Sequence, residues 1–257
     1  MIRYRKARLR VAEFFFDERE TAADADIVRY QLRPQPIAGC RSHDFHSLCL
    51  DLSRDTGALF GAMHKETRYE IRRAGRDGVV HEFAARPDAG WMAAFYEFYD
   101  SFADSRQLLR VNRARVEALA GHGMFTLSRV SAGGGRTLVW HAYLRSGARA
   151  CLMHSASFFR AGGQSEAALV SRANRFHHWA DIEQFRAEGL AIYDFGGWYA
   201  GREDAGKLRV NRFKESFGGE AVHEYSADRA NTWKGAAALG ARRLRQALAQ
   251  SLGGRKC

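Results

Sequence analysis

No stretch of the 257 residues approaches the roughly 18 consecutive apolar residues that a membrane-spanning helix requires, so integral membrane contact is not expected. Proline is scarce, at 3 residues, and the 4 cysteines (Cys40, Cys49, Cys151 and Cys257) form no CxxC pair and follow no zinc-ligand spacing. That pattern fits reduced thiols and a cytoplasmic setting. The basic start, MIRYRKARLR, leads into an apolar stretch that is broken at Glu13 and gives way to acids after Phe16, so it does not read as a signal peptide. Lysine is rare too: only 6 of the 40 cations are lysines, so 34 are arginines, whose planar fork suits phosphate. With 46% hydrophobic and 27% charged residues and 25 glycines, the chain is neither disordered, collagen-like nor a coiled coil. Its length suits one large domain or two small fused ones, and it carries no solenoid repeat or low-complexity linker. The formal charge of +11 points to an anionic partner, although coding bias produces the same excess of arginine.

Strands are predicted over 26–33 and 46–52, separated by turn residues at Pro34, Pro36 and Gly39. A helix then runs from about Ala58 to Arg76, with Ser53 or Asp55 as its cap, and stops at Gly78. Leu59, Met63, Thr67, Glu70, Ile71 and Ala74 share one sector of it. Lys65, Arg68, Arg72 and Arg76 form a stripe on the other, either a phosphate rail or a solvated basic face. After a strand at 79–85 come helices at 87–104, whose aromatics read as core, and 112–121. The period then switches to two, giving a three-stranded antiparallel meander (MFTLSRVSA, RTLVWHAYLR, ARACLMHSASF) with turns at the GGG run and Ser146-Gly147. A helix over Ser165–Glu188, the strand AIYDF, a helix at Lys207–Phe217 and the strand AVHEYSA follow. The basic amphipathic helix at 231–252 ends the chain. Its stripe of Trp233, Ala237, Ala241, Leu244, Leu248 and Leu252 is expected to pack on the domain, with docking on a membrane surface as the alternative.

Several residues could carry chemistry. Asp194, at the end of a predicted strand, could take a proton from an attacking ammonium, or anchor a cation. Gly196 and Gly197 permit close approach of a substrate, and Trp198, Tyr199 and Arg202 would contact an acceptor if their loop lines a cleft. Arg172, Arg175 and Trp179 share a helix face that could bind phosphates and stack bases, or simply be solvated. The stretch Arg160-Ala161-Gly162-Gly163 precedes a helix N-terminus, where backbone N–H groups suit an anion; a plain glycine turn is the other reading. His43 and His46 lack the context of a metal site, and no metal ligand set is expected. His177 and His178, adjacent on a helix, cannot both face one ligand. His141 and His154 on neighbouring strands, and Cys151 on an apolar one, read as core.

The order of elements matches that of the GNAT acyltransferase fold, and residues 179–219 sharpen the likeness. There, WADIEQFRAEGLAIYDFGG is followed by RFKESFGGE, which resembles the FemABX branch, with its YDFGG strand and FKxxFG segment. The looser match of DLSRDTGALFGAMHKETRYEIRRAGRDGV to that branch's arginine-rich helix extends the resemblance to about residues 50–226. It implies an α+β fold with a mixed, mainly antiparallel central sheet flanked by helices. In that scheme 1–85 is a partial, vestigial second GNAT-like half, 86–228 the acyltransferase domain and 229–257 the C-terminal helix. It further implies transfer of an aminoacyl group from aminoacyl-tRNA to an amine of a small-molecule or peptidyl acceptor, with no covalently bound, metal or redox cofactor. Acyl coenzyme A is the alternative donor, since Arg160 to Ser165 approximates the GNAT pyrophosphate loop; a non-catalytic RNA-binding module is the second alternative. By the same resemblance Lys214 steadies the ester carbonyl, Phe213 walls the donor channel, and Tyr193 lies with Trp198, Tyr199 and Arg202 on the acceptor side.

Overall fold

A computed structural model describes residues 1–158 and 163–253. In chain order the elements are β1 (Ile2–Lys6), β2 (Leu9–Phe15), β3 (Ile27–Arg33), β4 (Ser42–Asp51), α1 (Thr56–Ala62), α2 (Lys65–Arg76), β5 (Val80–Ala84), α3 (Ala89–Ser105) and α4 (Arg113–Gly121). They continue with β6 (Phe125–Ser131), β7 (Thr137–Ser146), β8 (Arg149–Ser157), α5 (Gln164–Ala187), β9 (Ile192–Gly197), α6 (Ala205–Glu215), β10 (Glu220–Ala230) and α7 (Trp233–Gly253). The chain forms two compact units, one of 1–45 with 223 onward, the other of 46–222. These boundaries differ from the 1–85, 86–228 and 229–257 expected from sequence, because β3 pairs with β10 from the far end of the chain.

In the smaller unit, β1 and β2 form an antiparallel hairpin, β2 runs parallel to β3, and β3 is antiparallel to β10. Ala12, Phe14, Val28, Tyr30 and Ala227 bury one face of this sheet. α7 packs through Gly235 and Leu239. A Cβ at Gly235 would fall 2.0 Å from the Asp26 carbonyl oxygen, so only glycine allows the approach. Of the C-terminal stripe expected to pack, Trp233, Ala237, Ala241, Leu244 and Leu248 are exposed instead, and the Leu252 side chain lies outside the described ones.

In the larger unit the strand order is β4, β9, β8, β7, β6, β5, antiparallel throughout except for β8 against β9. That parallel pairing covers only Arg149↔Ile192 to Cys151↔Asp194. α5 lies against this sheet and buries Val170, Ala173, Trp179, Ile182 and Phe185. The single helix predicted over 58–76 is two. The chain extends at Met63 and His64, where the His64 N–H donates to the Ser216 carbonyl and Arg68 caps α1 by donating to the carbonyls of Gly61 and Met63. The apolar sector survives the break, since Leu59, Met63, Thr67, Ile71 and Ala74 are all buried.

Candidate active site

Three consecutive pieces of the segment Tyr193–Gly197 organise the site. Tyr193 points into the core, Asp194 anchors a buried arginine, and the carbonyls of Gly196 and Gly197 receive Lys214. The Lys214 ammonium donates to Gly197 O at 2.5 Å and to Gly196 O at 3.3 Å. Burial makes it easier to deprotonate than an ordinary lysine, with Asp194 and Cys151 partly opposing that shift. Gly196 adopts φ +71°, and a Cβ there would meet the Leu152 carbonyl oxygen at 2.6 Å, so the strand end that presents these carbonyls requires glycine.

Asp194 is fully buried and its carboxylate is occupied. One oxygen accepts from Arg149 Nη2 at 2.5 Å and Nε at 3.1 Å, the other from the Gly196 N–H at 2.7 Å. It therefore fixes the strand end rather than standing open as a base, and its ion-pair partner is Arg149, a residue that sequence reasoning did not single out. Cys151 is buried beside it, and burial together with the Asp194 charge pushes its thiol pKa well up.

Behind the strand lies a network that the sequence did not disclose. Asp181, fully buried on α5, accepts from His81 Nε2 (2.8 Å), His141 Nδ1 (2.9 Å), Ser128 Oγ (3.0 Å) and Tyr143 Oη (2.6 Å). Burial alone would raise its pKa; the electrostatic influence of the adjacent His177 imidazole and the hydrogen bonds from His141 and His81 outweigh it and hold the carboxyl well below the usual range. The Tyr143 hydroxyl lies 2.8 Å from that of Tyr193, which lies 2.7 Å from His178 Nδ1. Each of these contacts needs one proton. Because the Tyr143 proton goes to the carboxylate, Tyr193 donates to Tyr143 and His178 Nδ1–H donates to Tyr193. Burial, with the neighbouring cations, keeps the His178 pKa well below that of an ordinary histidine, so it is neutral with a lone pair on Nε2. The ring is 3% exposed and packs against Phe195, Phe213 and Phe217. His177 and His178 thus serve one network from two sides, His177 through Ser128 at 2.7 Å. The pattern HHxxD on a predicted helix was the available signal; its partners on β5, β6 and β7 lie about 40 to 100 positions away in sequence.

His81, His177 and Asp181 offer ligand atoms within 4.8 Å of one another, close enough for a divalent cation. Those of His81 and Asp181 are already hydrogen-bonded together, whereas Nδ1 of His177 is buried without a partner.

The other sequence-predicted residues divide sharply. Phe213 packs on His178 and Phe217, with the Arg175 guanidinium 5.1 Å from its ring centroid. Arg175 donates to Ser171 Oγ, while its Nε is buried with no partner; burial lowers its pKa. Lys214, Phe213, Arg175 and His178 are therefore brought together. Trp198 donates to Glu215, and the Tyr199 backbone is clamped by the Asn211 side chain, so both flank α6. Arg202 is exposed.

Tyr193 cannot touch an acceptor, because it is fully buried. Trp179 cannot stack a base, because it is buried against Phe60. Arg172 is paired with Asp77. On the basic stripe, Arg68 caps α1 and Arg72 lies over the Phe60 ring, whereas Lys65 and Arg76 remain exposed. Gly163 is the N-cap of α5; Arg160 and Gly162 lie outside the described residues.

No protein-family model and no curated protein matches the sequence. Among solved structures, FemX superposes with a TM-score of 0.57 at 13% identity, over 70% of this chain and 61% of FemX. The C-terminal domain of a putative lysylphosphatidylglycerol synthetase from Agrobacterium fabrum gives 0.53 at 15% identity (83% of this chain, 71% of that one). L-PGS from Bacillus licheniformis gives 0.51 at 11% identity (84% and 72%). The chain thus spans about three fifths of FemX and nearly three quarters of the other two. On these superpositions the chain shares the fold of FemX and of the two synthetase structures.

Proposed function

We propose that the protein is an acyltransferase of FemX type that moves an aminoacyl group from aminoacyl-tRNA to an amine. The observation that carries this reading is the convergence of a half-buried lysine, an arginine with a buried unpartnered Nε and a neutral histidine around Phe213 at the end of β9. In aminolysis the amine nitrogen bonds to the ester carbonyl carbon, the bond from that carbon to the ribose oxygen breaks, the nitrogen loses a proton and the ribose oxygen gains one. The tetrahedral intermediate needs a fixed cation at its oxyanion. Lys214, steered by two carbonyls, supplies it; Arg175 offers its free N–H to a phosphate or carboxylate of the donor. His178 Nε2 accepts the proton that the amine nitrogen loses as it bonds to the carbonyl carbon, and the chain through Tyr193 and Tyr143 to anionic Asp181 stabilises the imidazolium that forms. Acyl coenzyme A is the second donor reading. The same Lys214 ammonium would serve a thioester carbonyl.

Lys214→Ala is expected to lower the transfer rate by two or more orders of magnitude, the loss of roughly 2.7 to 4 kcal/mol that follows removal of an oxyanion donor. Thermal unfolding should stay within a few degrees of wild type. Turnover close to wild type would remove Lys214 from this role.

A further inference from the structure

Whatever reaction the larger unit carries out, the outward face of α7 has a composition that calls for an occupant. At about 100° per residue, Trp233, Leu244 and Leu248 fall within about 60° of one another. They are 76%, 63% and 53% exposed, on the side opposite Gly235 and Leu239, which pack inward. Lys234 and Arg245 run along one flank of this stripe and Arg243 along the other. Trp233–Gly253 contains no acidic residue. On the inward side of the helix, within the same unit, an open cavity of about 910 Å³ is lined by Leu239 and by Arg29, Arg41, Arg242 and Arg243, with Asp44 and Asp228 among them. Asp228 pairs with Arg29 and Arg242, whereas Arg41 and Arg243 form no ion pair among the described residues.

We propose that α7 is an interfacial helix that docks the protein on an anionic phospholipid bilayer. Its axis would lie in the plane of the headgroups, with Trp233, Leu244 and Leu248 in the acyl boundary and the flanking cations on lipid phosphates. Charge decides against the other occupants. A second copy meeting this one helix to helix would set cations against cations with no acid between them. A nucleic acid would satisfy the arginines and leave the leucines in water. An anionic bilayer satisfies both at once.

The test is co-sedimentation of the full chain with sucrose-loaded vesicles of phosphatidylcholine alone, or of phosphatidylcholine with phosphatidylglycerol, at about 0.1 M salt. Binding is expected only with the anionic vesicles. Leu244→Asp should weaken it tenfold or more, Arg245→Glu by at least about fivefold, and Trp233 emission should shift to the blue on binding. Because Leu244 and Arg245 are exposed, both variants should unfold at the wild-type temperature. Absence of binding to anionic vesicles, or equal binding by wild type and Leu244→Asp, would overturn the proposal. So would a doubled mass in light scattering that Leu244→Asp abolishes, which would assign the stripe to a second copy. Loss of tRNA affinity in Leu244→Asp with vesicle binding unchanged would likewise refute it, in favour of RNA.

Discussion

His154 on β8 shows how one residue ties the core to pH. Its Nδ1 lies 3.1 Å from the Tyr99 hydroxyl, and burial, reinforced by the charge of Arg115, depresses its pKa to about 4. In the unfolded chain it titrates near 6.5. Above 6.5 the imidazole is neutral in both states and has no effect on stability. Between 6.5 and 4 only the unfolded state binds the proton, so stability falls as pH falls through that window, by about 3 kcal/mol in all. Denaturant unfolding at pH 7.5, 5.5 and 4.5 should show that loss, and His154→Gln should flatten it; an unchanged slope in the variant would assign the acid sensitivity elsewhere. The same scale separates what the sequence disclosed from what it hid. Lys214 and Phe213 were singled out because a local motif carries them, and the structure sets them beside Arg175 and His178. Arg149 and the Asp181 network were not, since Asp194 meets Arg149 and Tyr193 meets Tyr143 across about 45 to 50 positions that local spacing does not encode. Tyr193 and Trp179 were misassigned to ligand contacts for the same reason: a motif shows that a residue is special, but not which side of the strand or helix faces the core.

At the scale of the element, period and punctuation located β3 to β10 and most helices to within a few residues, because each has a hydrophobic face of the right repeat and a turn or cap at its ends. Asp55, Asp88, Asn112 and Asp204 each accept a backbone N–H at a helix start. The misses have tertiary causes. The break between α1 and α2 is held by Ser216, about 150 residues downstream. The hairpin of β1 and β2 hides in a stretch whose charged residues, such as Glu13, are satisfied inside the fold, Glu13 by the Tyr4 hydroxyl at 2.6 Å. The stripe of α7 was expected inward because apolar stripes usually are, yet close approach at Gly235 fixes the opposite face to the sheet. Glycine conformation gives a paired test. Gly196→Ala forces an L-residue to φ +71° and into the Leu152 carbonyl, and should cost at least about 2 kcal/mol of stability. It should also disturb Lys214, whose carbonyl partners move. Gly75→Ala, in the last turn of α2 with open space around its Cβ, should instead stabilise by up to about 0.5 to 1 kcal/mol. Similar effects at both positions would mean that the β9 end is not held as described.

At the scale of the whole molecule the governing quantity is the charge of +11, and the open question is what it attracts. If the donor is charged tRNA, binding releases counterions and the apparent affinity falls with salt, with a log–log slope of about 0.7 to 0.9 per phosphate neutralised. The structure narrows which cations can contribute. Arg68 and Arg172 are tied to α1 carbonyls and to Asp77, so their loss would destabilise the fold as well as remove charge; Lys65 and Arg76 are exposed and free to meet phosphate. Lys65→Ala and Arg76→Ala are therefore the clean probes, and each should reduce the slope by up to about one while weakening all tRNAs alike. A coenzyme A donor carries few phosphates and predicts a shallow salt dependence that these changes leave unmoved. Product formation with purified aminoacyl-tRNA and with acyl coenzyme A, run in parallel before and after ribonuclease treatment, decides between them. Activity that disappears with the RNA, together with rail variants that flatten the salt slope, supports the tRNA donor. Full activity after digestion of the RNA sinks it and transfers the reading to the thioester, with Lys214 and Arg175 then facing a thioester carbonyl and a pyrophosphate instead of an ester and a tRNA end.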